Sequence, residues 1–223
     1  MCIIATYPAG VRPAKQEIVN MIERNPDGVG IAWAHNLRAH VLKGLSDEVA
    51  VSEIIDEIIP NDAPILFHAR IATSGGISAG VCHPYPVTAK PAKMRETFAT
   101  YRVPVMAHNG ILNDFAPEKT MRNVNDSMLF NARVVYPLYH SRIAQRDRDN
   151  IIISALGHSN KIAILEPCGI IRHYGRGWIK TPEGVCYSND SYKKYTPPKY
   201  SYTTYDQPAI GFGAWYSSTR GDK

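Results

Sequence analysis

A cysteine stands second in the chain, in "MCII", and the apolar run behind it is interrupted by Tyr7, Pro8 and Gly10. A secretory leader would place positive charge before a longer apolar stretch, so this start reads as mature protein. Cys is small enough to allow removal of an initiator Met, which would leave a thiol and a free α-amine together on Cys2. Four polar clusters interrupt apolar segments further along: "NPDGVG" at 25–30, "HARIATSG" at 68–75, "CHPYPV" at 82–87 and "AHNGILND" at 107–114. Burying such groups is costly unless they are paired, so their position at strand ends points to a shared site. His68, His83 and His108 could gather around a metal, but no H-E-x-x-H or Cys/His spacing supports one, and no metal is expected. A Ser-His-Asp hydrolase is disfavoured because the chain lacks a G-x-S-x-G elbow.

These clusters must be held by regular elements. Residues 2–7 predict a short buried strand, and Pro13 opens a helix whose Ile18, Met21 and Ile22 share one face. "GVGIAWAH" and "AHVLKG" predict a hairpin across Asn36, and Ser46 is the expected cap of a helix running to Ile58. Residues 63–73 predict a buried strand, followed by a glycine- and serine-rich surface loop, "SGGISAG". "VPVMAHNGIL" predicts another strand ending in a polar turn. Asn125 or Asp126 can cap the next helix, which Pro137 bends or ends. A helix over "DNIIISALG" is then followed by four expected antiparallel strands, "KIAILEP", "GIIRHYG", "GWIK" and "GVCYSND". The order predicts an α+β fold with two mainly antiparallel sheets and helices packed outside them.

The bulk properties narrow the function classes. The 223 residues suit one core-bearing domain over 1–195 and a Tyr/Pro/Gly-rich tail over 196–223. No apolar stretch reaches the roughly 20 residues that span a bilayer, so the expectation is a soluble protein with no membrane partner, and the cysteine usage points to a cytoplasmic one. Cys2, Cys82, Cys168 and Cys186 form no C-x-x-C pair, which argues against a disulfide framework or zinc ribbon. The formal charge of +5 comes from scattered basic residues, so nucleic acid is not the expected partner.

Taken together, "MC", "NPDGVGIAW", "HARIATSG", the "HP" at 83–84 and "AHNGIL" resemble, in order, the motifs of the class II glutamine amidotransferases. These are N-terminal nucleophile (Ntn) hydrolases, and the small stand-alone members with "N-P-D-G-x-G" look most similar. The resemblance fades after residue 135. It departs at "IIATY", where that group has "R-L-L-G-Y", and at Ser74. It implies a four-layer αββα Ntn-hydrolase sandwich and no cofactor. It also implies an amidotransferase or glutaminase-type activity on L-glutamine, through a γ-glutamyl thioester.

On this resemblance Cys2 is the nucleophile and its own amine the base; ordinary pKa values of about 8.5 and about 7.7–8.0 allow proton exchange between them. Asn109 and the Gly110 N–H would form the oxyanion hole, and Arg70, with Thr73 and Ser74 beside it, would hold the substrate carboxylate. Asp126 would meet the substrate ammonium, or serve as a helix cap. Gly75, Gly76 and Gly80 would let the following loop close over glutamine, braced by His83 and Pro84, and Asp27 and Gly28 would wall the site. Two alternatives remain open at this point: another γ-glutamyl amide as substrate, or ammonia donation to a separate synthetase. In the second case Tyr195, Tyr200, Tyr202, Tyr205 and Trp215 offer a docking surface.

Overall fold

The computed structural model describes residues 2–72, 76–118, 120–121 and 123–195. Thr73, Ser74, Gly75 and the tail from 196 onward therefore lie outside the described residues, as do the expectations attached to them.

Two antiparallel sheets face one another. The larger has the order β10-β11-β1-β4-β2-β3-β6, where β1 is Ile3–Tyr7, β2 Val29–His35, β3 Arg38–Leu45, β4 Ile65–Ala69, β6 Phe98–Tyr101, β10 Ile179–Lys180 and β11 Cys186–Tyr187. The smaller has the order β5-β7-β8-β9, with β5 at Tyr85–Pro86, β7 at Val105–Asn109, β8 at Lys161–Leu165 and β9 at Ile171–Tyr174. The period-2 alternation of a strand decides which residues enter which layer. Ile4, Ala32, Val41, Leu66, Val105, Ala107, Ala163 and Leu165 form the apolar layer between the sheets. Ile3, Ala5, Tyr7, Ile31 and Phe67 point the other way, onto α1 (Lys15–Arg24) and α2 (Glu48–Glu53). Met106, Ile162 and Ile164 do the same, packing with Met94 of α3 (Pro91–Met94) beneath α4 (Asp126–Phe130), α5 (Tyr136–His140) and α6 (Gln145–Leu156). The result is the αββα sandwich expected from the sequence.

Several local expectations needed correction. Asp47, not Ser46, caps α2: its carboxylate accepts the Ala50 N–H at 2.7 Å, and the helix continues in a π-helical turn over Ile54–Ile58. Of the two caps the sequence offered for α4, Asn125 is the one that forms, accepting from the Met128 N–H at 2.9 Å. A wide π turn over Asn131–Val135 carries the chain past Pro137, which lacks the N–H a regular helix would use there. The last four strands are antiparallel but not one meander. β8 and β9 belong to the smaller sheet, whereas β11 crosses over to pair with β1 in the larger, with β10 at the edge beyond it.

Candidate active site

Register brings the beginnings of β1 and β8 and the ends of β4 and β7 to one end of the sandwich. Ile4 faces the smaller sheet, so strand alternation puts Cys2 on the same inner side. Its half-buried thiol donates to the Ile71 carbonyl and accepts from the Ile71 N–H, both at 3.4 Å. Burial raises the thiol above its ordinary pKa, and this outweighs the lowering by the Ile71 N–H and the Arg70 guanidinium.

Arg70 follows β4 and is 5 % exposed. Its backbone pairs with the "NPDG" turn: its N–H donates to the Gly28 carbonyl and its carbonyl accepts from the Asp27 N–H, both at 2.9 Å. The Asp27 carboxylate accepts the Ala72 N–H at 2.7 Å, so the turn braces the segment beneath Cys2. Gly28, at φ +123°, has a second reason to be glycine, because a Cβ there would lie 2.6 Å from the Cys82 sulfur. The guanidinium of Arg70 donates through Nη1 to the Gly76 carbonyl at 2.8 Å, tying down the far side of the segment that contains Thr73 and Ser74.

Asn109, at the end of β7, donates through Nδ2 to Ser188 Oγ at 2.8 Å. Ser188 Oγ also accepts the Ile4 N–H at 2.8 Å, and the Ser188 N–H donates to the Ile4 carbonyl at 2.9 Å. Asn189 Nδ2 donates to the Cys2 carbonyl at 2.7 Å. Ser188 and Asn189 therefore join Cys2, Ile4 and Asn109. The sequence reading missed both, since their only signal was a polar "SND" ending an otherwise apolar strand.

Gly110 adopts φ +143°, and a Cβ there would stand 2.0 Å from Asn160 Oδ1. Asn160 belongs to a chain of contacts that fixes the turn. Its Oδ1 pairs with His108 Nε2 at 2.9 Å, His108 Nδ1 pairs with Ser127 Oγ at 2.8 Å, and the Ser127 N–H donates to Asp126 at 2.8 Å. The second Asp126 oxygen accepts the Leu112 N–H at 2.8 Å. Asp126 thus holds the loop after Gly110 against α4, and a carboxylate with about four lone-pair sites retains acceptor capacity beyond these bonds.

Behind this end lies a buried ring cluster. His68 and His83 meet edge to face at 4.5 Å, and His83 lies 4.4 Å from Tyr85 and 6.4 Å from His108. Burial lowers all three histidines, His68 to about 3, so they are neutral at pH 7. No group of three or more His, Cys, Asp or Glu among the described residues could hold a metal ion. His83 packs its carbonyl against Gly30, where a Cβ would lie 1.8 Å away. Lys43, 4 % exposed, reaches across to donate to the carbonyls of Gly80 at 3.3 Å and Met94 at 2.6 Å. Burial lowers its pKa to about 8. Gly80, expected to lend the loop freedom, is instead fastened by this bond and packed against Arg95.

No protein-family model matches the chain, and no curated protein matches it. Similar solved structures include the following two. The allosteric regulatory enzyme of purine biosynthesis aligns over 75% of this chain and 36% of its own, with 16% identity and a TM-score of 0.45. The glutamine phosphoribosylpyrophosphate amidotransferase from B. subtilis, complexed with ADP and GMP, aligns over 75% and 35%, with 15% identity and a TM-score of 0.42. The chain spans about a third of the length of these structures. Likeness at this distance carries nothing about chemistry.

Proposed function

We propose that this chain is a class II glutamine amidotransferase or glutaminase-type amide hydrolase in which Cys2 is the nucleophile. The observation that carries the reading is the placement of the Cys2 thiol against Ile71, under the charge of Arg70, while Ser188 ties the same strand to Asn109. A thiol, a guanidinium and an amide so arranged match the needs of amide hydrolysis: a nucleophile, a carboxylate anchor and an oxyanion donor. Because burial holds the thiol protonated, the mechanism needs a base, and the α-amine of Cys2 supplies it once residue 1 is removed.

Cys2 Sγ attacks the side-chain amide carbon of glutamine as the amine takes the thiol proton. The oxyanion is met by Asn109 Nδ2, which has a second hydrogen beyond the one given to Ser188, and by the Gly110 N–H; each donor of this kind is worth roughly 2.7–4 kcal/mol. Collapse returns the proton to the leaving nitrogen and releases ammonia, leaving a γ-glutamyl thioester that water hydrolyses to glutamate. Arg70 holds the substrate carboxylate, with Thr73 and Ser74 the partners expected from the sequence, and Asp126 meets the ammonium.

Cys2→Ala is expected to abolish ammonia release from glutamine with an unchanged circular dichroism spectrum. Retained release would refute the assignment. Intact mass before and after a thiol-directed glutamine analogue checks both that residue 1 is gone and that a single adduct forms on Cys2.

A further inference from the structure

The larger sheet ends on one side in β6, and among the described residues no strand pairs with the far side of it. The Lys43 N–H donates to the Thr97 carbonyl at 2.8 Å, so Ala99 and Tyr101, which alternate in phase with Thr97, turn their backbone groups toward Val41 and Ala39 of β3. Phe98 and Thr100 fall between them and direct their N–H and C=O outward, along an open edge. Phe98 is also 75 % exposed. An unpaired edge that carries a large apolar side chain is a template for another strand.

Beside this edge a pocket of about 230 Å³ is lined by Tyr101 of β6, Pro86 of β5, Val87, Val103, and Tyr136 and His140 of α5. β5 is the terminal strand of the smaller sheet, so the pocket draws on the edges of both sheets. Sites that enclose a whole small molecule measure about 300–1,000 Å³, so this one suits a single apolar side chain. Tyr101 packs against the apolar layer between the sheets, whereas Thr100 lies on the opposite face, its Oγ1 3.1 Å from His40 Nδ1. An added strand would alternate in the same way: a side chain opposite Tyr101 turns toward the pocket, and its neighbours share the face of Phe98.

The surroundings are basic. From 89 to 104 the chain carries Lys90, Lys93, Arg95 and Arg102 against one carboxylate, Glu96. That carboxylate is engaged, paired with Lys93 at 3.5 Å and accepting the Tyr101 hydroxyl at 2.7 Å. Arg38 of β3 stands one step beyond the Ala39–Tyr101 pair, in register with Arg102. A second copy of this strand would bring the same excess of positive charge together, whereas an acidic strand complements it. We propose that the β6 edge is a docking site for an extended acidic segment of a partner protein, which adds to the sheet as a further strand and places one apolar side chain in the pocket. Amide hydrolysis at Cys2 is not required for it.

The test titrates two end-capped peptides, EDLTLED and KRLTLKR, into the full chain while the backbone amides are followed by NMR. EDLTLED is expected to bind saturably, shifting the Phe98 and Thr100 amides and slowing their hydrogen exchange, with KRLTLKR binding roughly tenfold more weakly. Thr100→Pro removes an outward N–H without touching a bond to β3, and should weaken EDLTLED roughly tenfold. Arg95→Glu combined with Arg102→Glu, both at exposed side chains, should reverse the order of the two peptides. The proposal is overturned if EDLTLED does not bind saturably, if the two peptides bind alike, or if the shifts fall away from β6. Sedimentation that shows a dimer which Thr100→Pro dissociates and EDLTLED does not would overturn it as well. The same titration on Cys2→Ala should give the same result, so a failure here and a failure of the amidotransferase reading show separately.

Discussion

Burial and Arg70 act on the Cys2 thiol in opposite directions, and burial is the larger. Removing the guanidinium would leave burial less opposed, so the thiolate would become harder to form. Arg70→Gln should therefore move the rising limb of the pH–rate profile to higher pH. It should also raise KM for glutamine roughly tenfold to hundredfold, the range for losing hydrogen bonds to a charged group. A KM change with an unmoved pH profile would mean that Arg70 does not act on Cys2. The residues involved were partly legible in the sequence: Cys2, Arg70, Asn109 and Gly110 stand out as polar or glycine interruptions in apolar runs. Their partners did not. Ser188 binds the N–H of Ile4 across 184 positions of sequence, a distance over which no local pattern operates.

Among the elements, β3 and the segment after β4 depend on each other through Lys43. Its two carbonyl partners, Gly80 and Met94, have no comparable donor if the ammonium is removed. Lys43→Met should cost about 1–3 kcal/mol for the carbonyls left unpaired, read by urea denaturation. Gly30→Ala should cost a similar amount, about 1–3 kcal/mol, because the new methyl would displace the His83 backbone. A neutral outcome for Gly30→Ala would show that the 82–84 segment shifts freely. The hairpin of β2 and β3 was readable from its alternation and from Asn36, which takes φ 50° with Leu37 at φ 53°. β6 was not readable, since a four-residue edge strand with two exposed positions has too little alternation to register. Nor could alternation distinguish the sheets: the pattern of β10 and β11 shows that they are strands but not that they leave β9 to join the larger sheet beside β1.

Over the whole molecule, the three neutral histidines make stability depend on pH. Unfolding returns them to an ordinary pKa near 6.5, so below that value the unfolded chain binds more protons than the folded one. Stability contributed by keeping them neutral is full above about pH 6.5 and declines as pH falls toward their folded values, about 3 for His68. His68 alone should contribute a slope on the order of 1 kcal/mol per pH unit between pH 6 and 4. Urea midpoints across that interval measure the slope, and a flat response would mean that the imidazoles take up protons in the folded chain as readily as in the unfolded one. No helix among the described residues is long and apolar enough to cross a membrane.

The clamp of Ser188 and Asn189 on Cys2 and Ile4 also sets an order of events in biosynthesis. β1 is sandwiched between β4 and β11, and half of its support is among the last described residues to be translated. At about 5–20 residues per second, the strand bearing the thiol waits roughly ten to forty seconds for its second neighbour. A nascent chain that stops short of residue 186 leaves that strand at an open sheet edge, with Cys2 unclamped and Asn109 without its link to it. The site is completed only after Ser188 and Asn189 have been made, so chains ended before them should carry the cysteine without a completed site around it.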